Sequence, residues 1–404
     1  MEKMEGARLD YITAFEKMGF GMFVHFGLYS IAGKGEWYKR HGNVPMEEYV
    51  KLVDKFRVKK TWAKELVSTA KKAGCKYVTL TTRHHDGFSL YDTCGLNEYD
   101  AVHSPAGRDL VREFVDECNK QGIVPFFYHT LLDWWHKDYK ENFPAYIDYL
   151  IKSVEILCKN YGKIGGLWFD GMWGKKDGDW QEDRLYATIR KYQPKAMIIN
   201  NTGLQELGKV GHYELDSVTF ERGKPTFVDN SDKHRAGEMC QILNDHWGYA
   251  KGDCNYKSIA ELVENLVDCR RFNCNFLLNV GPKGNGALKE IDKGMLLEIG
   301  AWIKANKNFI YGIRSADVQA VNADVVTDGK YHYAIIKNSV MSGDSNVQIA
   351  GDNRTVQILT DKKVIRATWL DNSQPIQVKK NTFRAQPFAY GTSKPVRVAR
   401  FTLK

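Results

Sequence analysis

Gly165-Gly166-Leu167-Trp168-Phe169-Asp170-Gly171 is the most informative run in this chain of 404 residues. Residues 164–169 are small or apolar throughout, the composition of a strand buried on both faces. The run goes straight into an acid, and a glycine follows. A carboxylate at the end of a buried strand is costly to desolvate. Asp170 therefore either caps a turn or the next helix, or takes part in chemistry.

The same alternation of buried strand and amphipathic helix extends in both directions. Upstream, strands are expected at 20–25, 76–81 and 123–129. Helices are expected at 62–73 (capped by Thr61 and stopped by Gly74), at 110–120 and at 146–160. Downstream, a helix at 184–192 leads to strands at 196–200, 216–220 and 238–243. A helix at 258–271 with Ser258 as N-cap, a strand at 275–280 and a helix at 292–304 close the series. With 164–169 as the fourth strand, eight such strands predict a parallel (β/α)8 barrel over residues 1–312. The connection between strands six and seven has no helical pattern.

After residue 312 the helical periodicity ends. Short alternating runs at 356–359, 365–370 and 396–403 are separated by turn residues, among them Gly351-Asp352-Asn353 and Asp371-Asn372. Residues 313–404 are accordingly expected to form a small antiparallel β-sandwich domain on the barrel.

The net charge of +9 comes from scattered Lys and Arg, not from a basic block, which gives no reason to expect nucleic acid as a partner. No run is long and apolar enough to span a membrane. Residues 1–6 lack the apolar core of a signal peptide, so as written the chain reads as cytoplasmic or as one whose leader has been removed. Of the eight cysteines none forms a CxxC pair, which favours reduced, buried thiols over structural zinc.

In a barrel of this kind working residues gather at the C-terminal ends of the strands. Strand one ends in His25, strand two runs into His84-His85-Asp86, strand three ends in Tyr128-His129 and strand four in Asp170. Strands five and six end in Asn200-Asn201 and Glu221. Asn244, Asp245, His246 and Trp247 follow strand seven, and Asn279 ends strand eight. Polar residues at eight ends describe one ring-shaped site. A metal site fits it poorly, because there is no His-x-His on the first strand and adjacent histidines in extended chain diverge. No cofactor is called for. Two carboxylates, many hydroxyl-binding groups and an ample supply of Trp and Tyr fit a sugar better. Asp170 and Glu221 could meet across the mouth as the nucleophile and acid/base of a retaining glycosidase.

Four ordered motifs carry a family resemblance. They are Gly21-Met22-Phe23-Val24-His25-Phe26-Gly27 with Glu36-Trp37-Tyr38, then Tyr77-Val78-Thr79-Leu80-Thr81-Thr82-Arg83-His84-His85-Asp86-Gly87, Leu167-Trp168-Phe169-Asp170-Gly171, and Asn275-Phe276-Leu277-Leu278-Asn279-Val280-Gly281-Pro282. Together they resemble the α-L-fucosidases of glycoside hydrolase family twenty-nine. The resemblance implies a retaining exo-glycosidase that removes terminal α-L-fucose from oligosaccharides or glycoconjugates, with Asp170 as nucleophile. It also implies sugar-binding roles for His25, Glu36, Trp37, His84, His85, Tyr128, Trp168 and Trp247. The family's acid/base is variable. Glu221 is the first choice here and Glu214 the second. Glu238 is the third, although Gly237 stands where the family's Trp would be. Asn201-Thr202 stands where many relatives carry an arginine. A fucose-binding barrel without catalysis and a metal-dependent hydrolase remain the competing readings.

Overall fold

The computed structural model describes residues 9–339, 354–389 and 391–404. Eight parallel strands close into a barrel in chain order: β1 (Phe20–Val24), β2 (Tyr77–Arg83), β3 (Val124–Thr130), β4 (Gly166–Asp170), β5 (Met197–Asn200), β6 (Ser217–Thr219), β7 (Ala236–Ile242) and β8 (Cys274–Val280), with β8 pairing back to β1. Strands and helices lie within a few residues of their expected positions. The helix Trp62–Ala73 ends at Gly74 as expected, but the Thr61 side chain donates to the Glu65 carboxylate (2.7 Å) instead of capping the backbone. Ser258 does cap the helix Ile259–Arg271, accepting from the Glu261 amide at 3.1 Å.

One feature of the barrel follows the sequence pattern and one was not expected from it. Neither the β5–β6 nor the β6–β7 connection contains a helix, so the outer helical ring is open on that side. A helix, Asp10–Met18, precedes β1 and closes the bottom of the barrel. Its Ile12 and Phe15 are fully buried among the inward side chains, and the Phe15 ring lies 5.3 Å from Tyr77 and 5.5 Å from Phe126. Their i, i+3 spacing was the available signal, in a segment too short to stand out.

The inward-facing residues of the strands form one layer of the core, including Phe23, Tyr77, Phe126, Trp168, Ile199 and Cys240. The outward residues pack under the helices in a second, larger cluster. The opening motif shows why glycine is needed there. A Cβ on Gly166 would lie 2.6 Å from the Met197 carbonyl oxygen. Gly171 has φ +97°, and a Cβ on it would meet Leu132 at 2.6 Å. The chain can thus turn away sharply directly after Asp170.

Beyond the barrel, β9 (Arg314–Ser315), β11 (Asp324–Thr327), β12 (His332–Lys337), β14 (Val364–Trp369) and β16 (Val396–Leu403) make a five-stranded antiparallel sheet. β10 (Gln319–Val321), β13 (Thr355–Leu359) and β15 (Thr382–Arg384) make a three-stranded one. Val356, Ile358 and Phe383 from the smaller sheet share a core with Ala334, Trp369, Ala399 and Phe401 from the larger, which makes a β-sandwich. The turn expected at Asp371-Asn372 is present, whereas Gly351-Asp352-Asn353 lies outside the described residues. All eight cysteines are free. Six are buried, but Cys94 and Cys254 are exposed, contrary to the expectation of buried thiols. Among the described residues no helix is long and apolar enough to cross a membrane.

Candidate active site

A cavity of about 480 Å³ opens at the C-terminal mouth of the barrel. Side-chain alternation on the strands determines what reaches it. On β3, Tyr128 faces the cavity while His129 points outward, its Nε2 2.8 Å from the Ser153 hydroxyl on the surrounding helix Phe143–Asn160. On β5, Asn200 likewise points outward and donates to the Tyr186 hydroxyl (3.1 Å). These two side chains are therefore not in the ring, and of the other polar strand ends Asp86, Asn244, Asp245, His246 and Asn279 do not line the cavity either. His84 and His85 behave in the opposite way. The chain has left β2 and begun to turn, so the two rings lie side by side, 4.2 Å between centroids, and both line the cavity. The expectation that adjacent histidines diverge holds only for extended chain. Among the described residues, no group of three or more His, Cys, Asp or Glu is arranged to hold a metal ion.

Asp170 sits in the wall of the cavity with four neighbours on its carboxylate. The Tyr128 hydroxyl donates to Oδ2 (3.2 Å), and His85 Nε2 is 3.5 Å from the same oxygen. The Trp173 indole and the Asn201 amide each donate to Oδ1 at 3.3 Å. The same Asn201 nitrogen also donates to Glu221 Oε2 at 2.6 Å. One nitrogen in contact with both carboxylates keeps those oxygens within ~6 Å of each other. Retaining glycosidases hold their carboxyl pair roughly 5–5.5 Å apart, and inverting ones about 6.5–9.5 Å. Burial, then the charge of Asp170, push the Glu221 carboxyl up to about 7. One carboxyl is therefore poised to hold its proton near neutrality beside another with four polar neighbours.

The remaining wall is aromatic and imidazole. Burial pushes His25 down to about 3 and lowers His84 and His85, which favours the neutral form of each ring. Asn279 donates its amide to the Trp247 carbonyl (2.7 Å), which turns its oxygen toward His25 Nδ1 (2.6 Å) and leaves Nε2 of that ring as an acceptor. Trp37 stacks against Trp173 (5.7 Å) and edges against His85 (5.5 Å), while Trp247 lies 5.2 Å from His25. Trp168, stacked on Tyr128 at 5.7 Å, lines the cavity.

Nine of the twelve candidate site residues thus line one cavity: His25, Trp37, His84, His85, Tyr128, Trp168, Asp170, Glu221 and Trp247. Glu36 stands behind the wall, its buried carboxylate accepting from the Gly248 amide (2.7 Å) and tying the first loop to the segment after β7. Glu214 is not part of this group. It precedes β6, at the other end of that strand from Glu221, and is paired with Arg190 (3.3 Å). Glu238 lies inside the barrel below the cavity, bonded by the Tyr77 hydroxyl (2.6 Å) and the Trp168 indole (2.9 Å). Its environment, all donors and no route out, differs from that of Glu221. Phe23, Trp173, Leu204 and Cys240 complete the lining. For Cys240, the alternation from Ala236 and Glu238 along β7 was the signal that could have found it. Leu204 lies in an irregular loop after β5, where no such pattern applies.

Comparison with known proteins bears on the fold and the family. The chain is similar to α-L-fucosidase isoenzyme 1 from Paenibacillus thiaminolyticus, with 30% identity and a TM-score of 0.84 over 98% of this chain and 99% of that one. The α-L-fucosidase of Lactobacillus casei in complex with α-L-fucose product is 26% identical, with a TM-score of 0.66, over 74% of this chain and all of that one. The tissue α-L-fucosidase of Mus musculus is 28% identical over 336 residues, 76% of this chain and 72% of that protein. The family model for α-L-fucosidase matches residues 5–308, which span the whole barrel, and the chain belongs to that family.

Proposed function

We propose that the protein is a retaining exo-α-L-fucosidase, with Asp170 as nucleophile and Glu221 as acid/base. The observation that carries this reading is the single amide nitrogen in contact with both carboxylates, one of which is raised to about 7. Protonated Glu221 donates to the glycosidic oxygen as Asp170 attacks the anomeric carbon; the aglycone leaves as an alcohol and a fucosyl ester remains. Esterification removes the Asp170 charge and with it, after burial, the larger of the remaining causes that hold the Glu221 proton. Glu221, now ionised, takes a proton from water as the water attacks the same carbon, and both carboxyls return to their starting state. The neutral imidazoles of His25, His84 and His85 offer acceptors and donors to the sugar hydroxyls, and the aromatic wall suits the methyl group of fucose. Fucosylated oligosaccharides or glycoconjugates are the corresponding substrates.

Release of free fucose from an aryl fucoside separates this reading from fucose binding without catalysis. Asp170→Ala is expected to abolish that release. Glu221→Ala is expected to retain turnover of substrates with good leaving groups and to be rescued by azide. Substantial activity in Asp170→Ala removes it as nucleophile, and azide rescue in Glu214→Ala but not in Glu221→Ala removes Glu221 as acid.

A further inference from the structure

Asn201 stands just past the end of β5, with its side chain almost wholly buried. Its position is set from both sides. Its backbone N–H donates to the carbonyl of Phe169, the residue before the nucleophile, at 2.8 Å. Its Oδ1 accepts from the hydroxyl of Thr219, two residues before Glu221, at 3.0 Å. The Thr219 oxygen accepts in turn from the Gly203 amide (3.2 Å), so its proton is free for Asn201. This fixes which end of the amide faces the cavity, and a reversed amide would place its carbonyl oxygen against ionised Asp170. The NH2 group has two protons and two acceptors, Asp170 Oδ1 and Glu221 Oε2, and both are in reach.

We propose that Asn201 is a positioning residue for the reaction, its amide nitrogen acting as a strut that sets the separation of Asp170 and Glu221. The proposal rests on the assignment of those two carboxyls above. An ordinary side chain of this size anchored to only one partner strand would let the pair drift as charge moves between them during the two steps. The strut is tied to β4 through its backbone and to β6 through its oxygen, so the spacing follows the barrel frame. The groups facing Glu221 are Asp170, Arg222, Glu36, Tyr128 and Cys240. The Asn201 bond acts on Glu221 in the direction opposite to burial and to Asp170, favouring the ionised form. Removing it therefore makes Glu221 hold its proton to higher pH.

The test is the pH profile of kcat/KM, on a fucoside whose aglycone must be protonated to leave, for the wild type, Asn201→Ala, the isosteric Asn201→Asp and Glu221→Gln. In Asn201→Ala, kcat/KM is expected to fall about tenfold or more. Its basic limb is expected to move to higher pH by about half a unit or more. Asn201→Asp keeps the shape but turns a donor into an acceptor, and is expected to move the limb the same way. A limb left in place in both variants overturns the role of Asn201. If the limb is lost in Glu221→Gln at the same time, the carboxyl assignment stands without the strut. A limb that survives in Glu221→Gln removes Glu221 as the acid, and the proposal with it.

Discussion

At the scale of single residues the site depends on one carboxyl being neutral and its neighbour ionised at the same pH. Glu221 must be protonated to donate, and its protonated fraction falls as pH rises through about 7. For a substrate with a poor leaving group, kcat/KM is therefore expected to decline across that pH on the basic side. An aglycone that leaves without protonation should show a much weaker decline. Equal limbs for both aglycones, measured on a series of fucosides of graded leaving-group pKa, would contradict the assignment. The residues that create this asymmetry could be read from the sequence to different degrees. Asp170 stood out because an acid after a buried strand demands an explanation. Glu221 was legible as the acid that closes strand six. Asn201 had appeared as a polar end of strand five and as a departure from an arginine, but nothing in a linear sequence shows that two carboxylates converge on one amide.

At the scale of elements, Glu238 is the informative case. On β7 it faces the barrel interior, where Tyr77 from β2 and Trp168 from β4 donate to its two oxygens, so one carboxyl joins three strands. Burial pushes it from the ordinary 4.5 up to about 7. The folded protein thus holds this proton where the unfolded chain has released it, and stability declines as pH rises from about 4.5 to about 7 through this group. Glu238→Gln removes the titration. Its melting temperature, measured against the wild type at each pH, is expected to improve steadily between those values, and a constant difference would refute the argument. The strands themselves were legible because apolar runs bounded by glycine and cap residues are local signals. Which side each polar end faces was not. That depends on where a strand stops, and a shift of one residue exchanges His129 for Tyr128, or Asn200 for Asn201.

At the scale of the whole molecule, the sandwich is fixed to the flank of the barrel rather than to its mouth. Trp302, on the helix Glu290–Ala305, donates its indole N–H to the Val396 carbonyl (3.2 Å) and packs against Phe309. Lys337 bridges Asp268 and Asp324, and Arg271 pairs with Asp324 (2.8 Å). Among the described residues, none in the cavity wall comes from the sandwich. Trp302→Ala should therefore cost about 3–5 kcal/mol of stability in denaturant unfolding, with kcat/KM close to the wild-type value at temperatures where the variant is folded. A large loss of kcat/KM in folded protein would show that the sandwich does reach the site. The helix Asp10–Met18 at the opposite end has a consequence for the order of events. The inward layer of Tyr77, Phe126 and Trp168, backed from below by this helix, makes the cavity a cul-de-sac, and everything that enters or leaves must use one doorway. The departing aglycone stands in that doorway during the first step. Water can reach the ester only after it has gone, and fucose can leave only after water has come in. A barrel closed at its base thereby imposes a strict sequence on traffic, and admits a sugar only by its free end.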